Sequence, residues 1–293
     1  MPVVEATPEK IKEAADILKK GGIVSFPTET VYGLGADALN PSAVAGIFEA
    51  KKRPYFDPLI IHIADMESLN QISGNISPKT IKLTEKFWPG PLTVVLEKKN
   101  NIPDIVTSGL NTAAVRMPSH PVALSLIKSA GTPVAAPSAN RFGCLSPTKA
   151  AHVENQIGSS VDIILDGGPC SIGIESTIIR IDDSGLYLLR AGGIAAEEIE
   201  ECAGEKVLTA KQGDLPEAPG QLPWHYSPEK KIVIKNTPPI IHKRCGYLFF
   251  SNIPDDYPAD MSFVLSADGD LREAAANLFA HLHTLDSMDI DII

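Results

Sequence analysis

Apolar positions recur along this chain with two periods. Ile11, Ala14, Ala15 and Leu18 follow a helical spacing and predict a helix with one buried face. Thr7 before Pro8 is its N-cap signal, and Gly21 its end. A second helix starts at Asn40-Pro41, turns Val44, Ile47 and Phe48 inward, and must stop before Pro54. Further helix starts are predicted at Ser77-Pro78, His120-Pro121, Ser146-Pro147 and near Ala195. Short apolar runs between them read as strands: Ile23 to Phe26, Leu59–Ile63, Leu92–Leu96, Ala113–Arg116, Val134–Ala136, Val161–Leu165, Ser176–Ile181 and Leu186–Leu189. Strands interleaved with helices imply an α/β fold, an open twisted sheet flanked by helices.

The pattern changes after Ala210. The Pro- and Gly-rich stretch Gly213 to Pro223 reads as a linker, which divides the chain into units 1–210 and 231–293 with 211–230 between them. In the second unit strands are expected at Lys231–Ile234, Tyr247–Phe250 and Phe263–Leu265, then a helix from Leu271 to Leu285 and a last strand at Asp289–Ile293. A unit this small, ending on an apolar strand, is expected to be incomplete.

Composition narrows the class. The 293 residues are 44% hydrophobic and 21% charged, as in a folded globular enzyme and unlike a disordered chain. No apolar run approaches the length that spans a bilayer, and the start lacks a charged segment leading into an apolar core, so a cytoplasmic protein is expected. The four cysteines are scattered without a C-x-x-C pair, which argues against disulfides and structural zinc. A net charge of −10 argues against a long non-specific nucleic-acid surface and leaves room for a local basic pocket.

Candidate chemistry gathers at strand ends. The run Pro27 to Gly35 reads as a shaped polar loop after a buried strand, either an ordinary turn or the wall of a ligand site. Its Gly33 and Gly35 lack the strand-to-helix context and the later acidic residue of a dinucleotide fingerprint, so that reading is rejected. Lys51 and Arg53 close the second helix, where cations offset the helix dipole. Pro54 and Pro58 stiffen the crossing to the next strand, so the same pair also suits a polyphosphate. His62 faces opposite to Ile61 and Ile63, as a core histidine or as a donor into a cleft. Ser138 and Asn140 lie just past the strand Val134–Ala136, and Ser146 precedes Pro147 as an N-cap or a phosphate ligand. Arg116 and Arg190 each end an apolar strand, and Ser176-Thr177 begin another. His281-x-His283 resembles a metal pair, but positions two apart on a helix point apart.

Taken together these clusters make the chain similar to the threonylcarbamoyl-AMP synthase family, the YrdC-like proteins. The resemblance runs from about residue 8 to 210. It rests on FPTETVYGLG (Phe26–Gly35), KKRP…PLIIHI (Lys51–Ile63), FWPGPLT (Phe87–Thr93), AVRMP (Ala114–Pro118), APSAN (Ala136–Asn140), SPT (Ser146–Thr148) and GIESTII (Gly173–Ile179). The linker and the unit after it resemble the two-domain branch, whose second module is Rossmann-like. The resemblance implies synthesis of threonylcarbamoyl-adenylate and pyrophosphate from L-threonine, bicarbonate and ATP, with Mg²⁺ accompanying ATP. The product would pass to downstream tRNA threonylcarbamoyl-transfer enzymes, with weak tRNA contact at most and no membrane.

The resemblance also implies site residues. Lys51, Arg53, Ser138 and Asn140 fall on the family's signature positions. Thr30, His62, Arg116, Ala136 and Ser176 would surround threonine. Arg53, Asp57, Thr112, Ser138, Ser146, Arg190, His225 and Tyr226 would hold the nucleotide, the last two from the linker. Asp57 stands where many members carry Asn, and a carboxylate there repels phosphate unless Mg²⁺ lies between. The alternative reading is an RNA-binding or nucleotide-binding regulatory protein of the same fold without catalysis.

Overall fold

Short side chains that cap their own backbone decide where most helices begin. In the computed structural model, which describes residues 3–209, 218–220, 226–234 and 244–293, the first unit runs β1 (Val3–Glu5), α1 (Pro8–Lys19), β2 (Val24–Phe26), β3 (Gly33–Asp37), α2 (Pro41–Lys51), β4 (Ile60–His62), α3 (Met66–Ile72), α4 (Pro78–Phe87) and β5 (Leu92–Glu97). It continues through α5 (Asp104–Thr107), β6 (Thr112–Arg116), α6 (Pro121–Ala130), β7 (Val134–Ala135), α7 (Ala150–Ile157), β8 (Ile163–Asp166), β9 (Thr177–Asp182), β10 (Gly185–Arg190), α8 (Ala196–Ala203) and β11 (Val207–Thr209). Thr7 accepts from Lys10 N, Asn40 from Ser42 N and Ala43 N, Ser77 from Thr80 N, and His120 Nδ1 from Val122 N. Each cap precedes a Pro, whose missing N–H is no loss in a first turn.

Ser146-Pro147 breaks this rule and corrects the expectation of a helix there. α7 begins at Ala150 instead. Ser146 Oγ donates to Glu175 Oε1 at 2.7 Å, and the Pro147 carbonyl accepts from Tyr32 N, so tertiary partners hold the groups a helix start would use.

The eleven strands described in this unit form one mixed sheet in the order β1-β8-β2-β3-β7-β4-β6-β5-β9-β10-β11. Pairs β1–β8, β2–β8, β4–β6, β5–β9 and β10–β11 are parallel, and the others antiparallel. One face is covered throughout: Leu34, Ile61, Val94, Val115, Ala135 and Ile179 pack with Val44, Ile47, Leu83, Val106, Val153 and Ile199 of the helices. The opposite face is covered over β2, β7 and β8 by Ala14, Leu18, Ala123 and Ile127 of α1 and α6. Farther along, over β4, β6, β5, β9 and β10, its apolar residues Ile60, Val95, Ala114, Ile178 and Leu189 meet Ala218 of the linker, with no helix among them. That change of cover opens the site.

The run Pro27 to Gly35 is only partly a loop, because its glycines belong to β3. A β-carbon on Gly35 would stand 2.7 Å from the Phe26 ring and from Val134, so the glycine lets that ring lie across the sheet. The second unit contains β12 (Tyr247–Phe249), β13 (Ser262–Val264), parallel to it, and α9 (Leu271–Ser287). The expected strands at Lys231–Ile234 and Asp289–Ile293 reduce to single bridges from Ile292 to Lys231 and Cys245. No helix among the described residues is long and apolar enough to cross a membrane.

Candidate active site

The bare part of the sheet holds a pocket lined by Thr28, Thr30, Val31, Arg53, His62, Arg116, Ala136, Ser138, Glu175, Arg190, Pro219 and Tyr226, enclosing about 450 Å³ open to solvent. Most of the candidates from distant segments therefore do converge. Thr112 does not: it lies on the face of β6 that carries Arg116, but at the far end of the strand, opposite Glu97. His225 falls outside the described residues.

One end of the pocket is built around Arg116. Its Nε donates to Gly90 O at 3.2 Å and its Nη1 to Thr30 Oγ1 at 2.9 Å, while Nη2 is ion-paired with Glu29 Oε1 at 2.7 Å. Thr30 is placed by a turn in which Thr28 Oγ1 donates to Val31 O and accepts from the amides of Thr30 and Val31. Glu29 is fixed in turn by Ser119 N at 3.1 Å. Arg116 and Glu29 are 3% and 5% exposed, so the pair survives burial only because each charge is matched. Beside them His62 is 4% exposed with an unbonded Nδ1. Burial, and then the Arg116 charge, push it down to about 3, which makes it a neutral ring at neutral pH.

Arg53 sits at the middle. Its Nη2 is 2.8 Å from Asp57 Oδ2 and donates to Pro58 O, and its Nε donates to Asp57 O. Asp57 is fully buried and directed at Arg53, so its carboxylate neutralises and orients that cation instead of facing the pocket. Lys51, expected to be held in place beside Arg53, is fixed by main-chain carbonyls. Its Nζ donates to Ser138 O at 2.5 Å and to Asn140 O at 2.6 Å, tying α2 to the loop after β7. Burial first, and then Arg53, push it down to about 7. Asn140 completes that loop by donating to Arg141 O and Cys144 O.

At the other end Arg190 donates to Ser176 O and Oγ at 3.0 Å, and to Pro219 O at 3.1 Å and Tyr226 Oη at 3.4 Å. Ser176 Oγ also lies 2.7 Å from Thr93 Oγ1. Glu175 faces this arginine at 3.8 Å and accepts from Ser146. Tyr226 has a φ of 64°, uncommon for a residue with a side chain. Burial pushes its phenol up to about 12, so it stays a neutral hydroxyl at neutral pH.

The carboxylates Glu29 and Glu175 are the site residues that sequence reasoning missed. Glu29 was visible only as a charge inside an otherwise uncharged run, and Glu175 as the neighbour of Ser176. Among the described residues no group of three His, Cys, Asp or Glu is placed to hold a metal ion. His281 and His283 diverge, His281 towards Phe263 and His283 onto His152.

Comparison with known proteins divides the chain near residue 193. Residues 16–192 match the family model of Sua5, YciO and YrdC proteins, described as telomere recombination, and residues 194–293 match that of the threonylcarbamoyl-AMP synthase C-terminal domain. A threonylcarbamoyl-AMP synthase of Pyrococcus abyssi is 42% identical over 300 residues, covering 97% of this chain and 87% of that protein. One from Bacillus subtilis is 41% identical, covering 97% and 86%. The crystal structure of P. abyssi Sua5 complexed with L-threonine superposes with a TM-score of 0.90 at 41% identity, covering 98% of this chain and 88% of that one. E. coli YciO, at 23% identity and a TM-score of 0.56, shares the fold. Matched by both family models and by relatives across nearly its whole length, the chain belongs to the two-domain threonylcarbamoyl-AMP synthase family.

Proposed function

We propose that this pocket forms threonylcarbamoyl-AMP from L-threonine, bicarbonate and ATP, with residues 1–210 as the catalytic unit and 231–293 as its partner module. The observation that carries the reading is the convergence of Thr30, Arg53, His62, Arg116, Ser138, Arg190 and Tyr226 on one pocket from separate elements. Threonine lies at the Arg116 end, its carboxylate against the guanidinium and its hydroxyl and amine among Thr30, His62, Ala136 and Ser176. The nucleotide lies along Arg53, Ser138, Ser146, Arg190 and Tyr226, with Thr112 reached farther out. Lys51 and Asn140 shape the loop that carries Ser138, and Asp57 acts through Arg53.

The chemistry asks for positioning more than for a strong base. The threonine amine and bicarbonate condense to a carbamate and water. A carbamate oxygen then attacks the α-phosphorus, the bond to the β-phosphate oxygen breaks, and pyrophosphate leaves. Both partners are anions, so fixed cations and hydroxyl donors lower the barrier by offsetting their repulsion. Guanidiniums already locked by Glu29 and Asp57 need no reorganisation as charge develops. Mg²⁺ fits as an ion carried in by the triphosphate, for the described residues offer no cage of their own and Glu175 is the carboxylate nearest to hand; bound there it would neutralise phosphate charge. The adenylate is consumed by cytoplasmic enzymes that transfer its threonylcarbamoyl group to tRNA.

Pyrophosphate release, measured with threonine or bicarbonate omitted in turn, tests the reading. Release is expected only when both are present. Release that continues without either would overturn it.

A further inference from the structure

The nucleotide end of the pocket rests against the second unit. Gly173, at a φ of +75°, approaches α9 so closely that a β-carbon there would stand 2.5 Å from the Ala276 carbonyl oxygen. Val31 and Leu145 of the first unit share an apolar cluster with Phe279 and Leu282 of α9. These contacts set how near the helix lies without directing any polar group.

Direction comes from two histidines. His283 on α9 places Nε2 3.0 Å from the carbonyl oxygen of Ser146. A carbonyl only accepts, so Nε2 carries the proton and donates. The ring is stacked on His152 of α7, with centroids 3.8 Å apart and planes 22° apart. His152 Nδ1 accepts in turn from Thr148 N at 3.3 Å. Tyr32 N holds the Pro147 carbonyl and Cys170 N the Thr148 carbonyl. Each peptide group of Ser146-Pro147-Thr148 is thus tied down, and of these ties the His283 bond comes from the second unit. The Ser146 hydroxyl is buried and donates to Glu175 Oε1 at 2.7 Å, and Glu175 lines the pocket.

We propose that His283 is a positioning residue for the nucleotide: from the second unit it donates to the Ser146 main chain and so fixes the Ser146 hydroxyl against Glu175, in the wall of the nucleotide end of the pocket. The proposal rests on the assignment of Ser146 to the nucleotide under the proposed function. A leucine at 283 keeps the packing but leaves the carbonyl unpaired, whereas a glutamine amide nitrogen reaches the place of Nε2. Asparagine falls one carbon short.

The test is steady-state pyrophosphate release by the full chain carrying His283→Leu, His283→Asn, His283→Gln or Ser146→Ala. We expect His283→Leu and His283→Asn to raise KM for ATP about tenfold with KM for threonine unchanged, and His283→Gln to restore ATP KM to within about twofold of the parent. Ser146→Ala should raise ATP KM by itself. If Ser146→Ala raises ATP KM while both His283→Leu and His283→Asn leave it alone, the role of His283 is overturned and the assignment of Ser146 stands. If Ser146→Ala also leaves ATP KM alone, the assignment falls and takes the proposal with it. Equal impairment by Gln and Leu, or a matching rise in threonine KM, would reduce His283 to a packing residue and overturn the proposal too.

Discussion

Arg116 and Arg190 end strands on the same face of one sheet, yet they are held in different ways. Arg116 is buried and engaged by Gly90, Thr30 and Glu29, all within the catalytic unit. Arg190 has a side chain only 9% exposed, but beyond Ser176 its partners are Pro219 and Tyr226, which lie in or beside the linker, and a carboxylate at 3.8 Å. The end proposed for the amino acid is therefore complete within the catalytic unit. The nucleotide end is completed by chain that belongs to neither sheet nor helix. A small amino acid gains from a rigid cradle, and a large adenylate must leave through something that opens.

Removing Arg116 breaks the rigid end most severely. Arg116→Ala leaves Glu29 buried without its cation, which costs about 3–5 kcal/mol in such settings. Urea denaturation should show that loss, and threonine affinity by calorimetry should fall about a hundredfold or more. Adding Glu29→Gln should recover a good part of the stability and none of the threonine affinity. A double variant less stable than Arg116→Ala would show that the pair is not coupled as its 2.7 Å separation requires.

The same contrast explains what could be read in advance. Helix starts at Thr7, Asn40, Ser77 and His120 were legible because the cap and the proline act within one turn. The identical signal at Ser146-Pro147 misled, because its hydroxyl is claimed by Glu175, far off in sequence. β3 was hidden since glycine is a poor strand former, and its cause is the Phe26 ring lying across Gly35. Arg116 and Arg190 were visible as cations at strand ends, whereas the carboxylates that aim them were not. A lone Glu carries no mark of the partner that folding brings to it.

Acid should separate the two ends next most strongly. His62 at the threonine end and His152 behind the nucleotide end are both pushed down to about 3, each mainly by burial, with Arg116 beside the first and His283 and Lys149 beside the second. Between pH 6.5 and 3 the unfolded chain binds protons that the folded chain refuses, so stability is full above 6.5 and falls with pH below it. For fully buried His62 the slope approaches about 1.4 kcal/mol per pH unit. His152 is half-buried, and water screens part of its share. Denaturation at pH 7 and pH 5 should show the drop, and His62→Gln should flatten it more than His152→Gln. The reverse order would mean that the threonine end is the softer of the two.

Gly173→Ala attacks the contact between α9 and the pocket, whose nearest site residue is Glu175. The φ of +75° disfavours any β-carbon, and the atoms it would strike are the backbone of α9, which cannot rotate aside. A loss of about 1–3 kcal/mol is expected, with ATP affinity weakened and threonine affinity kept. Equal weakening of both would show that α9 supports the whole pocket.

Tyr226→Phe should have the smallest effect, and it sharpens the comparison most. The phenol's bond from Arg190 is long at 3.4 Å, so its loss is worth about 0.5–1 kcal/mol, or roughly two- to fivefold in ATP KM. The ring itself stays, packed 5.8 Å from Phe279 of α9. Tyr226→Gly would remove that packing while relieving the positive φ, so it should lower ATP affinity further even as the local backbone relaxes. If the glycine variant instead bound ATP as well as the phenylalanine variant, the ring would add nothing to closure. Arg190 would then rest on Ser176 and Pro219 without help from the ring, and the nucleotide end would need less of the second unit than the end-to-end contrast implies.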